Sequence, residues 1–320
     1  MSLLLERAPL MRFKDLNIQE TAISARLAHV RRSLTGISIG DCIGCLLFTL
    51  PDLRLHRQLP DQIWSYTDDT RMALAIADNL ARHHTVHQDE LARRFAEDFV
   101  AQPERGYGAV AHFILHRIAS GTHWKEASTM VYSGAGSKGN GGAMRASVVG
   151  AYFHDDLAMT VQESIKATEL THAHLEGQAG AIAVAVSAGL AVRVFLKQCK
   201  SHPAELFRQV IDHTPEGAVR HGLQKAAQLL DVSPQQAGKN LGTGVDVLAE
   251  DTVPLALWCA LTTLDNYEEA LWKTFNALQG PESDSDTLGA IVGGIVGLSA
   301  HHTIPPLWRQ RAEPFEFNHE

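Results

Sequence analysis

The chain has 320 residues, of which 45% are apolar and 20% charged; that is a folded globule of one large domain or two ordinary ones, not a disordered chain. A formal net charge of −8 argues against a nucleic-acid backbone as partner, because phosphate contacts need a basic face. Four cysteines, Cys42, Cys45, Cys199 and Cys259, make no disulfide framework and fit a reducing cytoplasm.

Residues 1–17 carry scattered apolar side chains (Leu3, Leu4, Leu5, Leu10, Met11, Phe13) between charges. Glu6, Arg7 and Pro9 cut the leucine run short, so it does not read as a signal peptide. The segment is an extension, either a surface tail or a binding arm. Asn17 and Glu20 then have the form of a capping box, and Ile23, Leu27, Val30 and Leu34 mark one helical face. Gly36, Gly40 and Gly44 continue at four-residue spacing, a stripe that another element approaches closely. Cys42 and Cys45 form a CxxC with no second pair to complete a zinc site. They read as small buried residues on a helix.

Residues 48–62, with Pro51 and Pro60, read as a loop. It runs into Thr67-Asp68-Asp69-Thr70, where a threonine cap and first-turn acids precede an apolar body from Met72 to Leu80. That order predicts a helix over 67–83, and apolar spacing predicts others over 88–101 and 108–120. Five glycines fall between Ser133 and Gly142, too many for a helix. The stretch is either a flexible linker or a loop whose backbone N–H groups reach a phosphate. Thr171 to Gly177 is polar and precedes a small-residue helix over 178–195; His172 and His174 stand two apart, which excludes a helical zinc pair.

Amphipathic helices follow across 206–232, a glycine-bearing turn over 238–251, and helices over 253–264, entered through Pro254, and 267–278. Ser283-Asp284-Ser285-Asp286-Thr287 repeats the acid-and-hydroxyl helix start ahead of Leu288 to Leu298, and Gly289, Gly293 and Gly297 repeat the glycine stripe. The apolar stretches 179–192 and 288–300 fall short of the roughly 20 residues of a membrane span. Pro305 and Pro306 end the fold, and the tail from Arg311 is expected to be loose. No segment alternates with period two, so the chain reads as all-α: one domain over 18–310, with an extension at 1–17 and a tail at 311–320.

If the two acidic starts face each other, they gather Asp68, Asp69, Asp284 and Asp286 with no lysine or arginine inside either cluster. Like charges that close repel unless cations sit between them. An all-oxygen set suits Mg²⁺ or Mn²⁺ rather than Zn²⁺, and the spacing is not that of an EF-hand.

In order along the chain, Gly36-x3-Gly40-Asp41-x2-Gly44, Thr67-Asp68-Asp69-Thr70, Gly139-Asn140-Gly141-Gly142-Ala143-Met144-Arg145, Thr171-His172-x-His174-x-Glu176-Gly177 and Asp284-Ser285-Asp286-Thr287 resemble the motifs of the ADP-ribosylglycohydrolases, of the dinitrogenase reductase-activating glycohydrolase type. The resemblance implies an all-α fold with two Mg²⁺ or Mn²⁺ ions in a central cleft. It implies one ion on Thr67, Asp68, Asp69 and Asp286, a second on Asp68, Asp284, Asp286 and Thr287, and catalysis at Asp68, Asp69 and Asp286. Ser137, Gly139, Asn140, Gly141, Gly142, Met144 and His174 would hold the substrate, the loop around Asn140 taking the diphosphate. The implied activity removes ADP-ribose from a protein side chain, most often arginine. Phe48 stands where the family commonly has a glutamate, with Asp52 the nearest acid downstream, and Glu282-Ser283 replaces two glycines. A second reading is an immunity protein that blocks an ADP-ribosyltransferase toxin through the N-terminal extension; a third is a non-catalytic ADP-ribose binder. Neither a membrane nor a nucleic acid is an expected partner.

Overall fold

A computed structural model describes residues 13–319, with side chains from Thr21 onward. Residues 1–12, most of the expected extension, lie outside the described residues, and with them the proposed toxin-binding arm. Helix α1 spans Phe13–Thr49. Asn17 is therefore inside the helix rather than at its cap, and Phe48 belongs to its last turn rather than to a loop. A short α2, Leu53–His56, leads through an extended stretch to α3, Asp68–His83. Next come α4, Gln88–Ala101, α5, Ala109–Ala119, and α6, Trp124–Thr129. The glycine-rich segment ends in a 3₁₀ turn, Asn140–Gly142, before α7, Ser147–Tyr152, α8, Leu157–Thr168, and α9, Leu175–Phe195. The remaining helices are α10, Pro203–His213, α11, Ala218–Gln228, α12, Pro234–Leu241, α13, Ala249–Leu261, α14, Tyr267–Ala277, α15, Ser285–Ser299, and α16, Pro306–Arg311. Among the described residues no strand forms; there are two isolated bridges, Trp64–Ala312 and Gly139–Leu248.

The two glycine stripes meet. A methyl group built on Gly36, Gly40 or Gly44 would collide with the backbone at Gly293, Gly289 or Ser285 respectively. α1 and α15 thus run antiparallel with main chain against main chain, an approach only residues without a Cβ allow. Ser285 Oγ donates to the Gly44 carbonyl at 2.7 Å and Tyr267 Oη to that of Gly36 at 2.6 Å, which holds the register. This seam sets the N-terminus of α15, with its acids, beside the Gly40–Cys45 turns of α1. α9 packs on α7, α8, α13 and α15. At 21 residues it is long and apolar enough to cross a membrane, longer than the run read from sequence, yet 78% of its apolar window is buried inside the protein.

Three expectations fail for local reasons. The turn expected over 238–251 begins only at Gly242, because Ser233 makes a full capping box with Gln236 and starts α12. Pro254 lies inside α13 rather than at its entry, and its ring packs against Gly222. The segment from Arg311 is not loose: Trp64 N donates to Arg311 O at 2.7 Å, Glu313 N to Trp64 O at 2.8 Å, and Phe317 is buried.

Candidate active site

Thr67 occupies the N-cap position of α3, but its hydroxyl does not cap the helix. Thr67 Oγ1 instead lies 2.9 Å from Asp41 Oδ1 and 2.7 Å from Asp69 Oδ2, and its one proton serves one carboxylate at a time. Asp41, fully buried on α1, accepts from the main-chain N–H and the hydroxyl of both Thr67 and Thr70. Burial pushes its carboxyl up to about 6 against those four bonds. Asp41 anchors the start of α3 to the glycine-stripe helix.

Asp68, Asp69, Asp284 and Asp286 line one cleft of about 1130 Å³ together with Thr67 and Thr287. Burial is the first cause that raises all four; repulsion among the acids adds to it. Asp68 is pushed up to about 7 and Asp286 to about 6, while Asp69 and Asp284 lie well above the usual carboxylate range. Asp286 and Asp284 both act on Asp69, and Asp284 on Asp68, so the two clusters do converge as their sequences led us to expect. Asp69 Oδ1 is buried with no hydrogen-bond partner. Arg145, also buried, is the cation that favours the charged forms of Asp68 and Asp69; burial holds it down to about 10. Its guanidinium sits over the Phe95 ring at 4.7 Å and donates to Thr171 Oγ1 at 2.7 Å.

The glycine segment is a tied loop, not a flexible linker. Asn140 N donates to Val247 O at 3.1 Å, Ala249 N to Lys138 O at 3.0 Å, and His174 N to Ser137 O at 3.3 Å. Ser137, Gly139, Asn140, Gly141, Met144 and His174 line the same cleft as the acids; Gly142 is buried behind it, where a side chain would meet Thr168. The Asn140 side chain is already engaged, with Nδ2 donating to Thr252 Oγ1 at 2.9 Å and to Asp284 Oδ2 at 2.6 Å. It braces the second acidic cluster, and the main-chain N–H of Gly139 is likewise engaged, donating to Ser137 Oγ at 3.1 Å. His174 caps α9, its Nδ1 accepting from Glu176 N at 3.0 Å. Glu176 faces away and accepts from Ala218 N and Val219 N at the start of α11.

The ADP-ribosylglycohydrolase family profile matches residues 22–318. The chain belongs to the ADP-ribosylglycohydrolase family. It is similar to the ADP-ribosylhydrolase ARH3 of Bos taurus, 30% identical over 91% of this chain and 90% of that protein. It is likewise similar to ARH3 of Mus musculus, 29% identical over 91% and 89%. A solved ADP-ribosylglycohydrolase-related protein complex shares the fold, with a TM-score of 0.63 at 21% identity over 90% of this chain and 93% of that one.

In this family member, Phe48 lines the cleft and is 45% exposed. Asp52 is exposed at the start of α2 and does not line it, so Asp52 does not supply a carboxylate there. Cys42 is buried and donates its thiol to Trp64 O, whereas Cys45 reaches the cleft, where burial and then Asp286 push its thiol up to about 11. Sequence reasoning left four contributors unassigned: Asp41, His172, Arg105 and Glu313. His172 is buried under the glycine loop, so close that a side chain on Gly141 would stand 2.7 Å from its Cε1. Burial and Arg145 hold its imidazole down to about 3, so it is a neutral wall. Val247, 51% exposed at the cleft, holds a φ of 55°, an outlier for a β-branched residue and a local store of strain.

Proposed function

We propose that this protein hydrolyses the bond between C1 of ADP-ribose and a protein side chain, with two divalent cations, Mg²⁺ or Mn²⁺, held between the starts of α3 and α15. The observation that carries this reading is the convergence of four carboxylates and two threonine hydroxyls in one cleft with the glycine loop and His174. Among the described residues no three acid, imidazole or thiol side chains yet close round a single point. The donor set nevertheless fits hard cations. All six groups offer oxygen, Asp69 Oδ1 has no partner, and the Thr67 hydroxyl lies between two carboxylates that it cannot satisfy together.

Thr67, Asp68, Asp69 and Asp286 would hold one ion, and Asp68, Asp284, Asp286 and Thr287 the other. When bound, such ions orient ribose hydroxyls and lower the pKa of water. The chain's own groups do the rest. The main chain of the loop at Gly141 and the His174 edge hold the diphosphate, Met144 packs against the ribose, and buried His172 and Arg145 keep the wall rigid and dry. The family resemblance favours arginine as the carrier side chain, whereas the relatives' names specify ADP-ribose and not a linkage.

The test is release of ADP-ribose from arginine-linked and serine-linked protein substrates, with Mg²⁺ or with EDTA, for the native protein and Asp68→Ala. Release with Mg²⁺ that is lost with EDTA and in Asp68→Ala supports the reading, and the faster substrate identifies the linkage. Full release in EDTA refutes the role of the cations, and no release from either substrate refutes hydrolysis.

A further inference from the structure

The extended stretch that delivers Thr67 and Asp68 to the cleft is held residue by residue. Trp64 is bridged to the C-terminal segment through Arg311 and Glu313. Tyr66 is held at both main-chain groups by one ion pair: its N–H donates to Glu313 Oε2 at 3.3 Å, and its carbonyl accepts from Arg105 Nη1 at 2.9 Å. The pair is bidentate, with Arg105 Nη1 and Nη2 at 2.8 and 2.7 Å from the Glu313 oxygens. Such fork-to-fork pairs add fixed geometry to attraction. The Arg105 guanidinium also lies 4.4 Å from the centre of the Tyr66 ring. Finally, the Arg105 carbonyl accepts from Asp68 N at 2.7 Å, at the first turn of α3. Gly106 follows at φ 92°, a conformation that suits glycine, and a Cβ there would stand 3.5 Å from Asp68 Oδ1.

We propose that Arg105 and Glu313 are positioning residues for the first acidic cluster, and that the C-terminal segment is a built-in part of the reaction site. The inference rests on the cation reading above for its functional consequence, but the clamp itself is a property of this chain. Surface ion pairs contribute little to stability. This one is half-buried, and what it fixes is a backbone: a shift of Tyr66 carries Thr67 and Asp68 with it. Groups that orient ligands in this way typically cost about 10- to 100-fold in metal affinity when removed.

The experiment compares the full-length native protein, Glu313→Ala, Glu313→Gln and the charge swap Arg105→Glu/Glu313→Arg. It follows hydrogen exchange at the amides of Tyr66 to Asp68 without metal, and Mn²⁺ binding by calorimetry. In Glu313→Ala these amides should exchange faster and Mn²⁺ should bind about 10- to 100-fold more weakly. Glu313→Gln keeps an acceptor for Tyr66 N and should retain more protection than the alanine variant. The swap restores the ion pair but turns a donor toward Tyr66 N and an acceptor toward its carbonyl. It should therefore recover the unfolding temperature without recovering amide protection or Mn²⁺ affinity. Native protection and affinity in Glu313→Ala overturn the proposal, as does a swap that restores both. If the swap does not fold, the contrast between Gln and Ala decides. If the native protein takes up no Mn²⁺, the cation reading fails, and the clamp is judged on amide exchange alone.

Discussion

Asn140 Nδ2 donates to Asp284 Oδ2 at 2.6 Å, across 144 residues of chain. This one bond couples the glycine loop to the second acidic cluster, so the position of a diphosphate on the loop and of a cation on Asp284 are not independent. Removing the donor leaves a buried carboxyl group short of a partner, and an unsatisfied buried polar group costs about 1–3 kcal/mol. Asn140→Ala should therefore lower the unfolding free energy of the metal-free protein by about 2 kcal/mol. Asn140→Asp should lower it further by adding like charge, and saturating Mn²⁺ should recover more stability for the aspartate variant than for the alanine one. Urea denaturation with and without Mn²⁺ measures both; equal recovery in the two variants would contradict the coupling.

The α1–α15 seam admits no side chain. Gly40→Ala places a methyl group against the Gly289 carbonyl, and overpacking of this kind costs about 1–3 kcal/mol or more. Gly108, where a Cβ meets nothing within 4 Å, is the matched control. Urea midpoints should fall in Gly40→Ala and change little in Gly108→Ala. Because Asp41 lies next to Gly40, the first variant should also loosen Mn²⁺ binding.

Phe48 presents an aromatic ring to the cleft one turn after Cys45. Phe48→Glu should raise turnover about tenfold or more, within the roughly 10²–10⁴-fold that a well-placed general base supplies. Asp52→Ala should leave turnover at the native rate, since Asp52 lies outside the cleft. Initial rates of ADP-ribose release measure both effects; a rate in Phe48→Glu at or below the native one removes the argument for a carboxylate there.

His29 on α1 is buried with Nδ1 unpartnered and packs edge-on against His154 at 5.0 Å and Phe195 at 6.1 Å. Burial, with help from His154 and Arg32, lowers its imidazole from the ordinary 6.5 to about 4. The folded state therefore binds this proton less readily than the unfolded chain does. Stability from His29 is complete above 6.5 and is lost as the pH falls toward 4. Of the nearby charges, Arg26 and Arg193 oppose protonation of the neighbouring His154 and Asp155 favours it. His29→Leu should become more stable relative to the native protein as pH drops from 8 to 5. Denaturation midpoints at the two pH values give the comparison, and a constant gap would show that His29 charges without cost.

The helical class was legible in the residues alone, and so were most of the side chains that line the candidate cleft. α3, α4 and α5 stand within a residue of where apolar spacing and caps placed them, because these signals act within one or two turns of chain. The acid pairs and the glycine loop were legible for the same reason: each is a run of neighbours with unusual chemistry. The two glycine stripes announced a close approach without naming its partner. That α1 meets α15, so that Asp41 lies under Thr67 and Asp286 near Asp69, depends on how helices far apart in the chain stack. The bond from Asn140 to Asp284 and the place of His172 beneath Gly141 exist only once those helices and loops are packed. The same packing turns the expected loose tail into a clamp. Arg105 and Glu313 are ordinary surface residues in any local window, 208 positions apart, and what they share is the backbone of Tyr66, which no periodicity encodes.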